Sequence, residues 1–302
     1  MSAVEFLIMI VSGQGIASKR RPRALSYRKG ARVSRKKTVL VVVAHADDME
    51  FMAGGTVARF VDELGYDVYE YILTDNCKGS YRLSPEELIR VSAREAVEAG
   101  KILGLKEVRL EGYADGSLDT APSHRLRGKI MAMMREVRAD IVMSWDPFAP
   151  LEDHPDHRSV AMAAFEAAAF CGNPLYYPEH RHPPRPVLEA YWFTKSPMNA
   201  EKFVDITAVM DKKIEALLAH DCQMVLTVDM LRQEAETLGA DVPILKDLGQ
   251  DGHRQVIEAG IRLFCSTVGE PHGMTYAEQF RYEKRSTLDV FFGAGLIKTD
   301  FE

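Results

Sequence analysis

Thiolate chemistry has little to build on in this chain. Its four cysteines, Cys77, Cys171, Cys222 and Cys265, are widely scattered and form no CxxC pair. That argues against a disulfide framework or a thiolate zinc site, and it fits a reducing cytoplasm. Long apolar runs are scarce too. "VEFLIMIV", residues 4–11, is too short to span a bilayer, and positive charge follows it rather than preceding it, unlike a secretory signal. Base is also scarce in the body of the chain. Residues 1–37 carry ten Lys and Arg against a lone Glu5, which leaves a net charge of −15 on the remainder beneath an overall −6. An acidic body offers no support for a nucleic-acid surface. The expected organisation is a basic N-terminal extension at 1–37, read as solvated because blocks of like charge usually are, followed by a single domain at 38–302.

With 302 residues, 46% of them hydrophobic and 27% charged, the chain can bury one large α/β core. From residue 38 strand and helix alternate. "TVLVVVAH" is a continuous β-branched run, which implies a parallel strand buried on both faces. "GGTVARFVDELG" reads as a helix, "DVYEYILT" as a second strand, and "SPEELIRVSAREAVEAGKILG" as a long helix with Ser84 as N-cap and Pro85 in its first turn. "EVRLEG", residues 123–138, "ADIVMSW" and "HRSVAMAAFEAAAF" supply strand, helix, strand and helix again. Four βα units in succession predict a three-layer, Rossmann-like fold with a mostly parallel sheet. Further on, five prolines at 173–186 mark a loop. "VLEAYWFT" restores a strand, "VMDKKIEALLAHDC" a helix, and 229–252 reads as an insertion before a last helix near 253–268.

The first strand ends abruptly in His45, Ala46, Asp47 and Asp48. Doubly wound sheets bind ligands outside the carboxyl ends of their strands, where strand order reverses, and in the common 3-2-1-4 order strands one and four flank that crevice. The loop after strand four, "WDPFAPLEDHPDHRS", brings His154 and His157. Residues 45–48 and 154–157 are therefore expected to meet. Imidazole and carboxylate groups converging in a crevice have the composition of a catalytic zinc site, with an open position for water. Asp47, Asp153 and Asp156 can supply acid–base or supporting groups, although Asp residues ahead of helices often serve only as caps.

"AHADD", "AGGT" and "DHPDHR", with weaker agreement in "LTDNCKGS", "YADGSL", "VDITAVMDKKIEALLAHDCQ" and "YAEQFR", resemble the LmbE-like, or PIG-L, family of zinc-dependent N-deacetylases. The resemblance implies that His45, Asp48 and His157 bind zinc, that Asp47 is the general base, and that His154 sits near the oxyanion and offsets its charge if protonated. It implies sugar contacts at Asp115, an Asp-Gly turn being the competing reading, and a place beside the site for Asp75. An arginine common in the family is Ser92 here, so Arg94 or Arg90 is expected to serve instead; Glu152 stands where some members have tyrosine, and Ala46 replaces a proline. The implied activity is removal of acetyl from an N-acetylglucosamine-type sugar or conjugate. Amide cleavage on a thiol conjugate, metal-dependent phosphoester hydrolysis and zinc-retaining sugar binding without turnover are the alternatives. The expected partner is a small N-acetylated molecule, with no nucleic acid and no membrane span; family members are often multimeric.

Overall fold

The computed structural model describes residues 36–246, 248, 252–292 and 300–301. The basic extension expected at 1–37 lies almost wholly outside them. The chain opens with β1 (Thr38–Val43) and α1 (Asp48–Asp62), then β2 (Asp67–Thr74), α2 (Pro85–Leu103), β3 (Glu107–Tyr113), α3 (Ser123–Val137), β4 (Ile141–Trp145), α4 (Pro155–Phe170) and β5 (Glu189–Phe193). It continues with β6 (Lys202–Asp205), α5 (Met210–Leu218), α6 (Asp221–Leu238), α7 (Pro243–Lys246), α8 (Gly252–Gly269), β7 (Ala277–Lys284) and α9 (Thr287–Phe292).

The sheet runs β3-β2-β1-β4-β5-β7-β6. Its first five strands are parallel, and β7 is antiparallel to both neighbours. On one face α3 packs against α4; on the other α1 and α2 pack against α5. Sandwiched between these layers, Val39 to Val43 are fully buried, each contributing about 1.5–3 kcal/mol of hydrophobic stabilisation. The central register places Val39 beside Val68 and Ile141. This register brings the ends of β1 and β4 side by side, the switch point expected to hold the site.

Helix boundaries follow local chemistry. Ser84 Oγ accepts the Glu87 amide at the start of α2, and Gly104 closes that helix in the left-handed conformation at φ 81°. The expected helix through "VMDKKIEALLAHDC" instead breaks at His220, where ψ turns to 56°, and a separate helix runs from Asp221 to Leu238. The segment expected as an insertion at 229–252 thus begins inside α6. Strands β6 and β7 escaped the pattern reading; β6 has four residues, and "AEQFRYEK" is charged along much of its length.

One buried ion pair ties α5 and β7 to α1. Lys213 Nζ, on α5, donates to the carbonyls of Glu50 and Phe51 (both 2.8 Å) and to Glu278 Oε1 on β7 (2.7 Å). Glu278 also receives the amides of Gly55 (2.9 Å) and Thr56 (2.7 Å) and the Thr56 hydroxyl (2.6 Å). Removing one partner of such a pair strands the other in the core. Lys213→Met is therefore expected to lower the unfolding free energy by about 3–5 kcal/mol in a urea titration. A loss under about 1 kcal/mol, the level of an exposed pair, would mean the pair contributes little.

Candidate metal centre

The loop from Ala44 to Asp48 turns sharply out of β1 into α1, and Asp48 holds the turn. Its Oδ2 accepts the amides of Ala44 (3.0 Å) and His45 (2.9 Å) and the indole N–H of Trp145 (2.9 Å). Three donors occupy one oxygen and leave the other, Oδ1, facing the crevice. Oδ1 lies 3.2 Å from His157 Nε2 and 3.7 Å from His45 Nδ1, and the two nitrogens are 3.1 Å apart. Tetrahedral zinc with bonds of about 2.0–2.2 Å sets its ligand atoms about 3.3–3.6 Å apart. The three observed edges bracket that range, so this N₂O set fits a single small divalent ion.

Two overlapping sets also bring ligand atoms within 4.8 Å of one another: His45 with His154 and His157, and His45 with Asp115 and Asp156. Their chemistry is less free. His154 Nδ1 already accepts the Asp156 amide at 3.2 Å, which caps α4. Asp156 receives Gly116 N (2.7 Å) and Leu118 N (2.9 Å), one on each oxygen, and Asp115 Oδ2 receives Lys78 N (3.1 Å).

Behind each imidazole of the trio stands a carboxylate. His157 Nδ1 is 3.0 Å from Glu152 Oε1, and the ring stacks on Trp145 with centroids 4.1 Å apart. His45 Nε2 faces Asp115 Oδ1 at 3.2 Å and Asp156 Oδ2 at 3.5 Å. Such backing fixes the ring's orientation and raises its basicity toward a metal. Burial opposes charging of both rings, yet the carboxylates prevail: Asp48 and Glu152 lift His157 to about 9, while Asp115, Asp156 and Asp48 hold His45 well above the ordinary histidine value. Burial likewise raises Glu152, but His157 and Lys195 outweigh it and bring the carboxyl down to about 2. A pocket that draws positive charge this strongly suits a cation.

Asp47 has a different environment. It occupies the N-cap position of α1 but makes no side-chain cap bond. Burial and the adjacent Asp48 push its carboxyl up to about 6, against the opposing pull of His220 and His45. His154 is shifted downward, by burial and then by the neighbouring His45 and His157.

Comparison with known proteins identifies the family. Residues 40–168 match the PIG-L family, described as GlcNAc-PI de-N-acetylase. The diacetylchitobiose deacetylase of Thermococcus kodakarensis is 31% identical over 193 residues, covering 62% of this chain and 70% of the relative. The chain belongs to the PIG-L family. A second PIG-L relative, a probable N-acetyl-alpha-D-glucosaminyl L-malate deacetylase 2 of Bacillus anthracis, is 28% identical over 212 residues, or 67% of this chain and 88% of that one. Among solved structures, the N,N'-diacetylchitobiose deacetylase from Pyrococcus horikoshii, complexed with its inhibitor MPG, superposes with a TM-score of 0.67 at 25% identity, covering 82% and 84% of the two chains.

The PIG-L match contains the whole trio together with Asp47 and His154. Other expected positions divide. Asp115 is buried and faces His45 and the Lys78 amide. Asp75 Oδ1 accepts the amides of Cys77 and Asp115, both at 3.1 Å, and so shapes the loop beneath the site. Arg94 is exposed on α2, and Asp153 is exposed ahead of α4. At the family's arginine position, the buried Ser92 takes a hydrogen bond from Asn76 Nδ2 (2.7 Å), whose Oδ1 accepts the Ala46 amide (3.2 Å). Ser92 therefore props the loop from Ala44 to Asp48 through Asn76.

Sequence reasoning missed Trp145 and the part played by Glu152. Their only signal was position: Trp145 ends β4, and Glu152 lies in the loop ahead of α4, five residues before His157. Glu152→Ala is expected to weaken zinc affinity about 10- to 100-fold in competition with a chromogenic chelator. Unchanged affinity would show that Glu152 does not orient His157.

Proposed function

We propose that the protein is a zinc-dependent N-deacetylase that removes the acetyl group from an N-acetylglucosamine-type sugar or sugar conjugate. His45, Asp48 and His157 are its metal ligands. The observation that carries this reading is the 3.1–3.7 Å triangle of lone-pair atoms beside a carboxylate, Asp47, that caps nothing. The names of the relatives support the substrate class, since the two quoted from Thermococcus and Bacillus both denote deacetylation of N-acetylated glucosamine compounds.

Zinc in this position supplies Lewis acidity toward water and the amide carbonyl. Asp47 takes a proton from the attacking water and returns it to the departing nitrogen, so the amide and water become acetate and a free amine. His154 has its Nδ1 committed to the Asp156 amide. Its Nε2–H is then the remaining donor and meets the developing oxyanion as a neutral imidazole. Asp115 and Asp156 hold His45, and Glu152 and Trp145 hold His157, so neither ligand reorients as charge moves.

Acetate release from diacetylchitobiose, with and without chelator, tests the reading. The wild type should lose activity on chelation and recover it with zinc. Asp47→Ala should lower kcat by about 10²- to 10⁴-fold, the usual worth of a general base, with zinc content unchanged because Asp47 is no ligand. Chelator-insensitive release, or full activity in Asp47→Ala, contradicts the mechanism.

A further inference from the structure

Five carboxylates, Asp47, Asp48, Asp115, Glu152 and Asp156, crowd the metal centre, so each cation on the surrounding loops invites the question of what it balances. Most are already committed. Lys195 pairs with Glu152 Oε2 at 3.0 Å, and Arg82 grips Asp229 at 2.6 and 2.9 Å. Arg158, in the first turn of α4, donates to the carbonyls of Glu152 and Asp153. Lys78 differs: its side chain is exposed, and among the described residues no carboxylate lies within 4.0 Å of its ammonium.

Lys78 is also close to the site. Its amide donates to Asp115 Oδ2 (3.1 Å), and Asp115 Oδ1 is 3.2 Å from His45 Nε2, so one carboxylate separates the Lys78 backbone from a metal ligand. The exposed side chain runs over the Asp115–Gly116 turn. A Cβ built on Gly116 would come within 2.5 Å of Lys78 Nζ, and Gly116 itself has φ +72°. Glycine suits the left-handed backbone there, and the ammonium lies over the space beside its Cα. The loop around Lys78 is anchored as well. A Cβ on Gly79 would fall 1.8 Å from Gln223 Nε2 on α6, and the Arg82–Asp229 pair fixes the next turn. An uncommitted cation on a loop whose backbone is held leaves only its own side chain to be ordered by an added contact.

We infer that Lys78 is a specificity-determining residue that binds an anionic substituent, carboxylate or phosphate, on the acetylated sugar. This rests on the deacetylase reading above and adds to it the charge of the preferred substrate.

The test compares deacetylation of an N-acetylglucosaminide with a carboxylic-acid aglycone, the methyl ester of the same compound, and N-acetylglucosamine 6-phosphate against N-acetylglucosamine. Wild type should prefer at least one anionic member over its neutral counterpart, through KM rather than kcat, and the pair that shows the preference tells carboxylate from phosphate. Lys78→Met should reduce that preference about 10- to 100-fold, the worth of a charged hydrogen bond, and Lys78→Arg should restore most of it. A merely structural role would lower kcat on acid and ester alike and leave their ratio unchanged, which overturns the inference. Wild type that hydrolyses both equally well also overturns it while the deacetylase reading stands. Hydrolysis of none of the four compounds overturns both.

Discussion

Three hydrogen bonds to one oxygen, Asp48 Oδ2, set the position of the rest of the site. Two come from the backbone of the loop that Asp48 itself ends, and the third comes from Trp145 at the end of β4. Through this single atom the end of β1 is joined to the end of β4. The same indole carries the His157 ring on its face. Side chains from three separate elements are thereby brought to one point before any ion is bound. A charged acceptor with three donors is worth more than three neutral contacts, and burial raises the cost of losing any one of them.

Around that point the atoms proposed to face the metal are left free because the others are used. Asp48 spends Oδ2 and leaves Oδ1. His157 turns Nδ1 to Glu152 and leaves Nε2, while His45 turns Nε2 to Asp115 and Asp156 and leaves Nδ1. Asp47, next in sequence to Asp48, makes no side-chain cap bond and is no ligand in the proposed arrangement, as the proton-exchanging role proposed for it requires. Behind α1, the Lys213–Glu278 pair fastens the helix that carries both aspartates to α5 and β7. The C-terminal third of the chain thereby supports the site from behind α1.

Much of this was legible in the sequence, for definite reasons. A β-branched run that stops at His45 betrays a buried strand and its end, and the 3-2-1-4 order then requires residues 45–48 and 154–157 to meet. Motif letters name ligands but not their supports. Glu152 looked like a substitution at a variable position, and nothing in its type shows that it lies 3.0 Å from His157 Nδ1. Ser92 looked like a lost arginine, whereas it holds Asn76 and through it the Ala46 amide. The strands β6 and β7 stayed hidden because a four-residue edge strand and its charged neighbour lack the apolar run that marks the central strands.

The central claim is that two imidazoles and one carboxylate, not three imidazoles, hold the metal. Zinc K-edge X-ray absorption on the loaded protein tests this directly. The account predicts outer-shell scattering from two histidine rings with additional oxygen ligands at about 2.0–2.2 Å, unchanged in His154→Ala. Scattering from three rings that falls to two in His154→Ala would contradict it and move the centre onto His45, His154 and His157.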